Sequence, residues 1–179
     1  NRIGKLIIET GSTLYLEGDL NINENSSLVI MPGAKLVVWP TAHIQLNGEY
    51  ANIDIQGTLE LKDNTTLTYT GGGFIKFNSG GSGYSNIIKG SNCSIELEGS
   101  NTSQRLLEII GGGIDARNLV RFSVKKGIIE MGTDAEIVTN CSTTVEQITF
   151  NRLPWITDMY VYKGLRLVDH SSSLPISLK

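Results

Sequence analysis

The stretch GSTLYLEGDLNI, Gly11–Ile22, sets two apolar-x-apolar pairs, Leu14/Leu16 and Leu20/Ile22, among glycine, serine and acidic residues. Nearly the same phrase returns as GAKLVVWPTAHIQL, Gly33–Leu46, and as GTLELKDNTTLTY, Gly57–Tyr69. Each pair is a period-two signal: two side chains on one face of a short strand, with an outward residue between them. Further pairs fall at Leu6/Ile8, Leu28/Ile30, Ile53/Ile55 and Ile75/Phe77. Their spacing is too short for strand–helix units and regular enough to demand a repeat.

Every third pair belongs to one family. Leu14, Leu36 and Leu59 lie 22 and 23 residues apart, Leu20, Ile44 and Leu67 lie 24 and 23 apart, and Leu6, Leu28, Ile53 and Ile75 recur at 22, 25 and 22. The pattern predicts an all-β chain wound into coils of three short strands and three turns. Successive coils then stack, at about 4.8 Å, into three parallel sheets around an apolar axis. A single strand cannot bury its Leu-x-Leu face alone, so the phrase returns one layer up. Gly11, Gly33 and Gly57 precede equivalent strands and are expected at corners with positive φ. Pro32 and Pro40 flank the strand at Leu36, at corners where a missing N–H does no harm. A β-hairpin meander is the competing fold; it predicts Asn-Gly turns at regular sites, and Asn47-Gly48 is the one present.

Beyond Phe77 the register loosens. NSGGSGYSN, Asn78–Asn86, reads as a loop, after which spacings of 22 to 23 return at Ile114/Ile137, Phe122/Val145 and Ile128/Phe150. The reading is one domain over residues 1–179, with about eight coils and a C-terminal cap over about 151–179.

Composition narrows the function. No apolar run approaches the roughly 20 residues of a membrane-spanning helix. The net charge is −3 and the longest basic cluster is Lys125-Lys126, which argues against a nucleic-acid partner. The chain begins at Asn1 without Met or a signal peptide and is expected to be a mature or excised piece of a longer one. Cys93 and Cys141 form no metal motif, and leave open one disulfide or two buried thiols.

The phrase GxTLxLxxxxxLxI, recurring every 22 or so residues, resembles the right-handed parallel β-helix proteins of pectate-lyase-like architecture. That group includes polysaccharide lyases and hydrolases, phage tailspikes, and surface adhesins or passenger domains. The resemblance implies an extracellular or cell-surface location and an adhesive or carbohydrate-related role, and fold alone does not choose among them.

As an enzyme, the best local group is IDARNLVRFSVKK, where Asp115, Arg117, Arg121, Lys125 and Lys126 cluster. A basic residue there would abstract a proton, with Asp115 as acid or as a Ca²⁺ ligand. The plainer reading is a solvated face with an ion pair. No Asp cluster recurs at coil spacing, so no metal or other cofactor is expected outside the lyase alternative. Asp169, His170 and the serines after it read as a polar tail rather than a triad.

Aromatic residues are the better binding lead. Trp39 and Tyr50 are expected on the outer surface, where rings stack on sugars or anchor proteins. Trp155, Tyr160 and Tyr162 are binding candidates too, with capping of the final coil as the alternative. Five N-x-S/T sequons, at Asn25, Asn64, Asn92, Asn101 and Asn140, read as by-products of Asn-rich turns. The expected function is a non-catalytic surface module, adhesin-like or structural, that binds carbohydrate or a cell-surface protein, as a monomer. Alternatives are a polysaccharide lyase or hydrolase, and a trimeric tailspike or fibre fragment.

Overall fold

The computed structural model describes residues 4–79, 84–110, 113–132, 135–152, 166–169 and 177–178, and among these there is no helix. The chain is a parallel β-solenoid with about three strands per turn. Coil one is β1 (Lys5–Ile8), β2 (Thr13–Leu16) and β3 (Asp19–Ile22). Coil two is β4 (Ser27–Ile30), β5 (Lys35–Val38) and β6 (His43–Leu46). Coil three is β7 (Asn52–Ile55), β8 (Thr58–Leu61) and the split pair β9 (Thr66–Leu67) and β10 (Thr70–Gly71). Coil four is β11 (Phe74–Asn78), β12 (Tyr84–Lys89) and β13 (Ser94–Glu98). Beyond it run β14 (Arg105–Ile110), β15 (Gly113–Asp115), β16 (Arg121–Met131), β17 (Glu136–Thr139), β18 (Ser142–Arg152), β19 (Arg166–Asp169) and β20 (Ser177–Leu178).

Strand pairing follows the sequence families. In the first sheet Leu6, Leu28, Ile53, Ile75, Leu107, Ile129 and Phe150 form one column of Cα partners, one residue per coil. In the second sheet Leu14, Leu36, Leu59 and Ile87 form another. Leu28, Leu36, Ile53, Leu59 and Leu107 are all 1% exposed or less and belong to one continuous core. Alternation sends Leu36 and Val38 inward and leaves Lys35 and Val37 outside, as a pleated strand requires.

Several expectations need correction. The first column completes about six turns, not eight: the step from Ile75 to Leu107 takes 32 residues rather than about 22, and the last described residue of the column is Phe150. That coil carries a longer second strand, β12, and a wide corner over residues 99–104. The expected loop at 78–86 is narrower, since β11 runs to Asn78 and β12 starts at Tyr84; residues 80–83 lie outside the described set. In the third sheet Leu20 and Ile44 are partners as expected, but Gln45 pairs with Thr70 and Leu67 pairs with Ile95. The strand splits between Leu67 and Thr70, and the column slips by two residues, which keeps the same face inward.

Similarly, Val145 pairs with Val124 and Phe122 with Thr143, while Phe150 pairs with Ile129 rather than Ile128. The cause is a corner inside each long strand. β16 and β18 pass from the third sheet to the first through Lys126 and Gln147, at φ 56° and 52°. Gly11 and Gly33 have the expected positive φ, at 82° and 78°, but Gly57 is not among the positive-φ residues. Its constraint is space: a Cβ there would lie 2.3 Å from the Ala34 carbonyl oxygen and 2.4 Å from that of Met31. Of the expected cap, β19 and β20 extend the second and third sheets, and residues 153–165 and 170–176 lie outside the described set.

Candidate functional site

The second sheet's outer face is a lattice of side chains two residues apart along each strand and one coil apart across them. Tyr15 in β2 and Val37 in β5 are partners, and Glu60 in β8 and Ile88 in β12 continue the column. Val37 faces outward yet is 1% exposed, so the side chains around it cover it. Tyr15 and Trp39, diagonal neighbours on this face, are 61% and 39% exposed, and Ile88 is exposed as well. Lys62 reaches over the Trp39 ring, its Nζ 6.0 Å from the centroid. Its ammonium also donates to Glu60, which accepts from Lys35 Nζ at 2.8 Å on its other oxygen. The hydrogen bonds from Lys35 and Lys62 hold the Glu60 carboxyl below its usual range, and Glu60 holds Lys62 above its own. The result is a pair of exposed rings beside an ion triad. Trp39 was legible from sequence. Tyr15 reads in the sequence as no more than the spacer of Leu14-x-Leu16, which is the reason it points outward.

Tyr50 lies elsewhere, at the corner between the third and first sheets. It is 53% exposed, and its carbonyl oxygen accepts from Asn52 Nδ2 at 2.9 Å. With Glu49, Gly72, Ser100, Asn101, Ser103, Gln104, Arg105, Ile128 and Glu130 it lines a cleft of about 640 Å³. Buried Gln104 braces the corner: Nε2 donates to the Gly71 carbonyl at 2.8 Å, and Oε1 accepts from the Ser100 amide at 2.8 Å. Leu106 is a bulge residue, since the register shifts between Arg105 and Leu107. Bulges re-aim neighbouring side chains, and here Arg105 lies over the Phe74 ring, 3.6 Å from its centroid. Its NH1 donates to Glu108 Oε2 at 3.2 Å and to Glu130 Oε2 at 3.0 Å. Lys76 sits 3.6 Å from Glu108 Oε1 and 3.8 Å from Asp54 Oδ2. Burial pushes the Glu108 carboxyl up despite these cations.

The charged segment around Asp115 divides between two sheets. Asp115 ends β15 in the second sheet and takes Arg117 in a fork: Nε to Oδ1 at 3.0 Å and NH2 to Oδ2 at 2.9 Å. Lys89 Nζ lies 3.5 Å from Asp115 Oδ1 and donates to the Arg117 carbonyl at 2.8 Å. Burial would raise the Asp115 pKa, but the hydrogen bonds and charges from Arg117 and Lys89 outweigh it and hold it at about 2. Burial lowers Lys89. Arg121 and Lys125 belong to the third sheet, where Arg121 NH1 is 3.9 Å from Glu96 Oε2 and Lys125 stands between Glu98 and Glu146. Trp155, Tyr160 and Tyr162 lie outside the described residues, as does His170.

The remaining sequence candidates have structural roles. Asn25, Asn64 and Asn92 turn corners at φ 58° to 64°, and Asn92 Nδ2 donates to Asn64 Oδ1 at 3.2 Å. Asn140 Oδ1 accepts from the Asn118 amide at 2.7 Å, and Asn101 Oδ1 from the Ser103 amide at 2.9 Å. Cys93 and Cys141 are buried free thiols. The Cys93 carbonyl accepts from the Val120 amide one coil up, and the Cys141 thiol meets the Ala116 carbonyl from a coil beyond that. Two coil steps of about 4.8 Å exceed the roughly 7 Å limit for a disulfide. Among the described residues no group of three or more His, Cys, Asp and Glu could hold a metal ion. No helix there is long and apolar enough to cross a membrane.

Comparison with known proteins returned no match to a family model, a curated protein or a solved structure.

Proposed function

We propose that this chain is a secreted or cell-surface, non-catalytic solenoid module that binds carbohydrate on its outer face. The carrying observation is the pair of exposed rings, Tyr15 and Trp39, on adjacent coils of one sheet face. Aromatic faces suit the C–H faces of pyranose rings, and the ladder beneath fixes the platform before a ligand arrives, which limits the ordering cost of binding. Carbohydrate is favoured over a protein partner because the rings stand beside an ion triad rather than an apolar pocket for an anchor residue.

The polysaccharide-lyase alternative draws less support. Asp115 and Arg117 neutralise one another, and Arg121 and Lys125 stand on a different sheet. A glycan array probed with the wild-type chain and with Trp39→Ala and Tyr15→Ala tests the proposal, alongside a polysaccharide-degradation screen. The expected result is glycan binding that both substitutions weaken by about tenfold or more. Product release from a uronate polymer, or an array on which no glycan signal falls with either substitution, overturns it.

A further inference from the structure

The corner cleft is a second site, remote from the Tyr15–Trp39 platform and of different chemistry. Charged groups there are unbalanced. Arg105 is the one cation lining the cleft among the described residues, and it is already shared between Glu108 and Glu130. Lys76, behind it, is divided between Glu108 and Asp54. Two carboxylates line the cleft, Glu49 and Glu130, against the single cation Arg105, while Asp54 and Glu108 lie behind them around Lys76. Glu24, packed against Gly48, adds a third carboxylate beside Glu49. The Tyr50 ring stands exposed at the rim, and Ser100 and Asn101 supply hydroxyl and amide groups.

We infer that this cleft binds a glycan carrying free ammonium groups, a polymer of deacetylated amino sugar, and rejects uronates. Each part of such a ligand has a counterpart. The ammonium meets Glu49 and Glu130, whose negative charge is not cancelled by the shared guanidinium. The sugar face meets Tyr50, where the ring's negative face also attracts the ammonium. Ring hydroxyls meet Ser100 and Asn101. A volume of about 640 Å³ falls within the range of small-ligand sites. A uronate would set a carboxylate against Glu49 and Glu130, and like-charge opposition is an effective means of exclusion.

Calorimetric titration of the full chain in mildly acidic, low-salt buffer tests this with four probes: a glucosamine tetrasaccharide, its N-acetylated counterpart, an oligogalacturonate of equal length, and tetralysine. The glucosamine oligomer is expected to bind tightest, and Glu49→Gln and Tyr50→Ala each to weaken it by about tenfold. Both residues are exposed, so unchanged melting curves will show the fold intact. Glu130→Gln, which also releases Arg105, serves as a second charge variant. Equal binding of the N-acetylated oligomer, preference for the uronate, or indifference to the substitutions overturns the inference. So does tetralysine binding as tightly as the sugar, which would mean recognition of charge alone, or no binding by any probe. Glycan binding that depends on Trp39 but not on Tyr50 or Glu49 would sink this inference and leave the platform proposal standing.

Discussion

Leu6 and Leu28 are partners in adjacent coils of the first-sheet column, yet one is 54% exposed and the other 1%. Truncating each to alanine removes the same atoms from the same column, so the difference reports stacking alone. For Leu28, losing three buried carbons costs about 2.4 kcal/mol of transfer free energy. A cavity between the coils above and below brings the total to about 3 to 4 kcal/mol. Leu6 has a coil on one side only, so its loss is about 1 kcal/mol. For a chain of this size those figures correspond to drops in melting temperature of about 10 °C and about 3 °C. Urea unfolding followed by circular dichroism, with thermal melts as a second probe, measures both. Solenoids need not unfold in one step, so the comparison rests on the transition that includes the N-terminal coils. Equal costs at the two positions would mean that the columns do not carry the stability, and would refute the stacking argument.

Three further outcomes follow from particular residues. Asp115 is held at about 2 against an ordinary 3.8, so its contribution is complete above about pH 4 and is lost as pH falls toward 2; Asp115→Asn should flatten that part of the pH–stability profile. Gly71 has φ +96° and a Cβ there would lie 2.1 Å from the Leu46 carbonyl oxygen, so Gly71→Ala should cost about 3 kcal/mol, read as a lowered urea midpoint. Cys93 and Cys141 should resist a thiol reagent in the native chain and react as two thiols on unfolding, with no change in melting temperature on adding reductant.

The strand families were legible because burial writes itself into sequence at period two and then again at the length of a coil. Leu14, Leu36 and Leu59 are in register for that reason. What sequence could not show is where the register slips. The β-bulge at Leu106 and the left-handed corner at Gln147 are made by ordinary residues, with no glycine or proline beside them to announce them, and at Lys126 the left-handed residue is the lysine rather than the Gly127 that follows it. The same holds for function. Trp39 stands out by type, but the cleft joins Glu49 and Tyr50 to Ser100, Arg105 and Glu130 from coils far apart in sequence. Only the stacking of coils brings them together, and the wide corner that forms one wall had been absorbed into an average repeat length.

Cys93 and Cys141 stand two layers apart, with Val120 in the layer between them. With no cross-link between them, the coils around these cysteines are held by packing and backbone pairing alone, so their winding is the same in oxidising and in reducing surroundings.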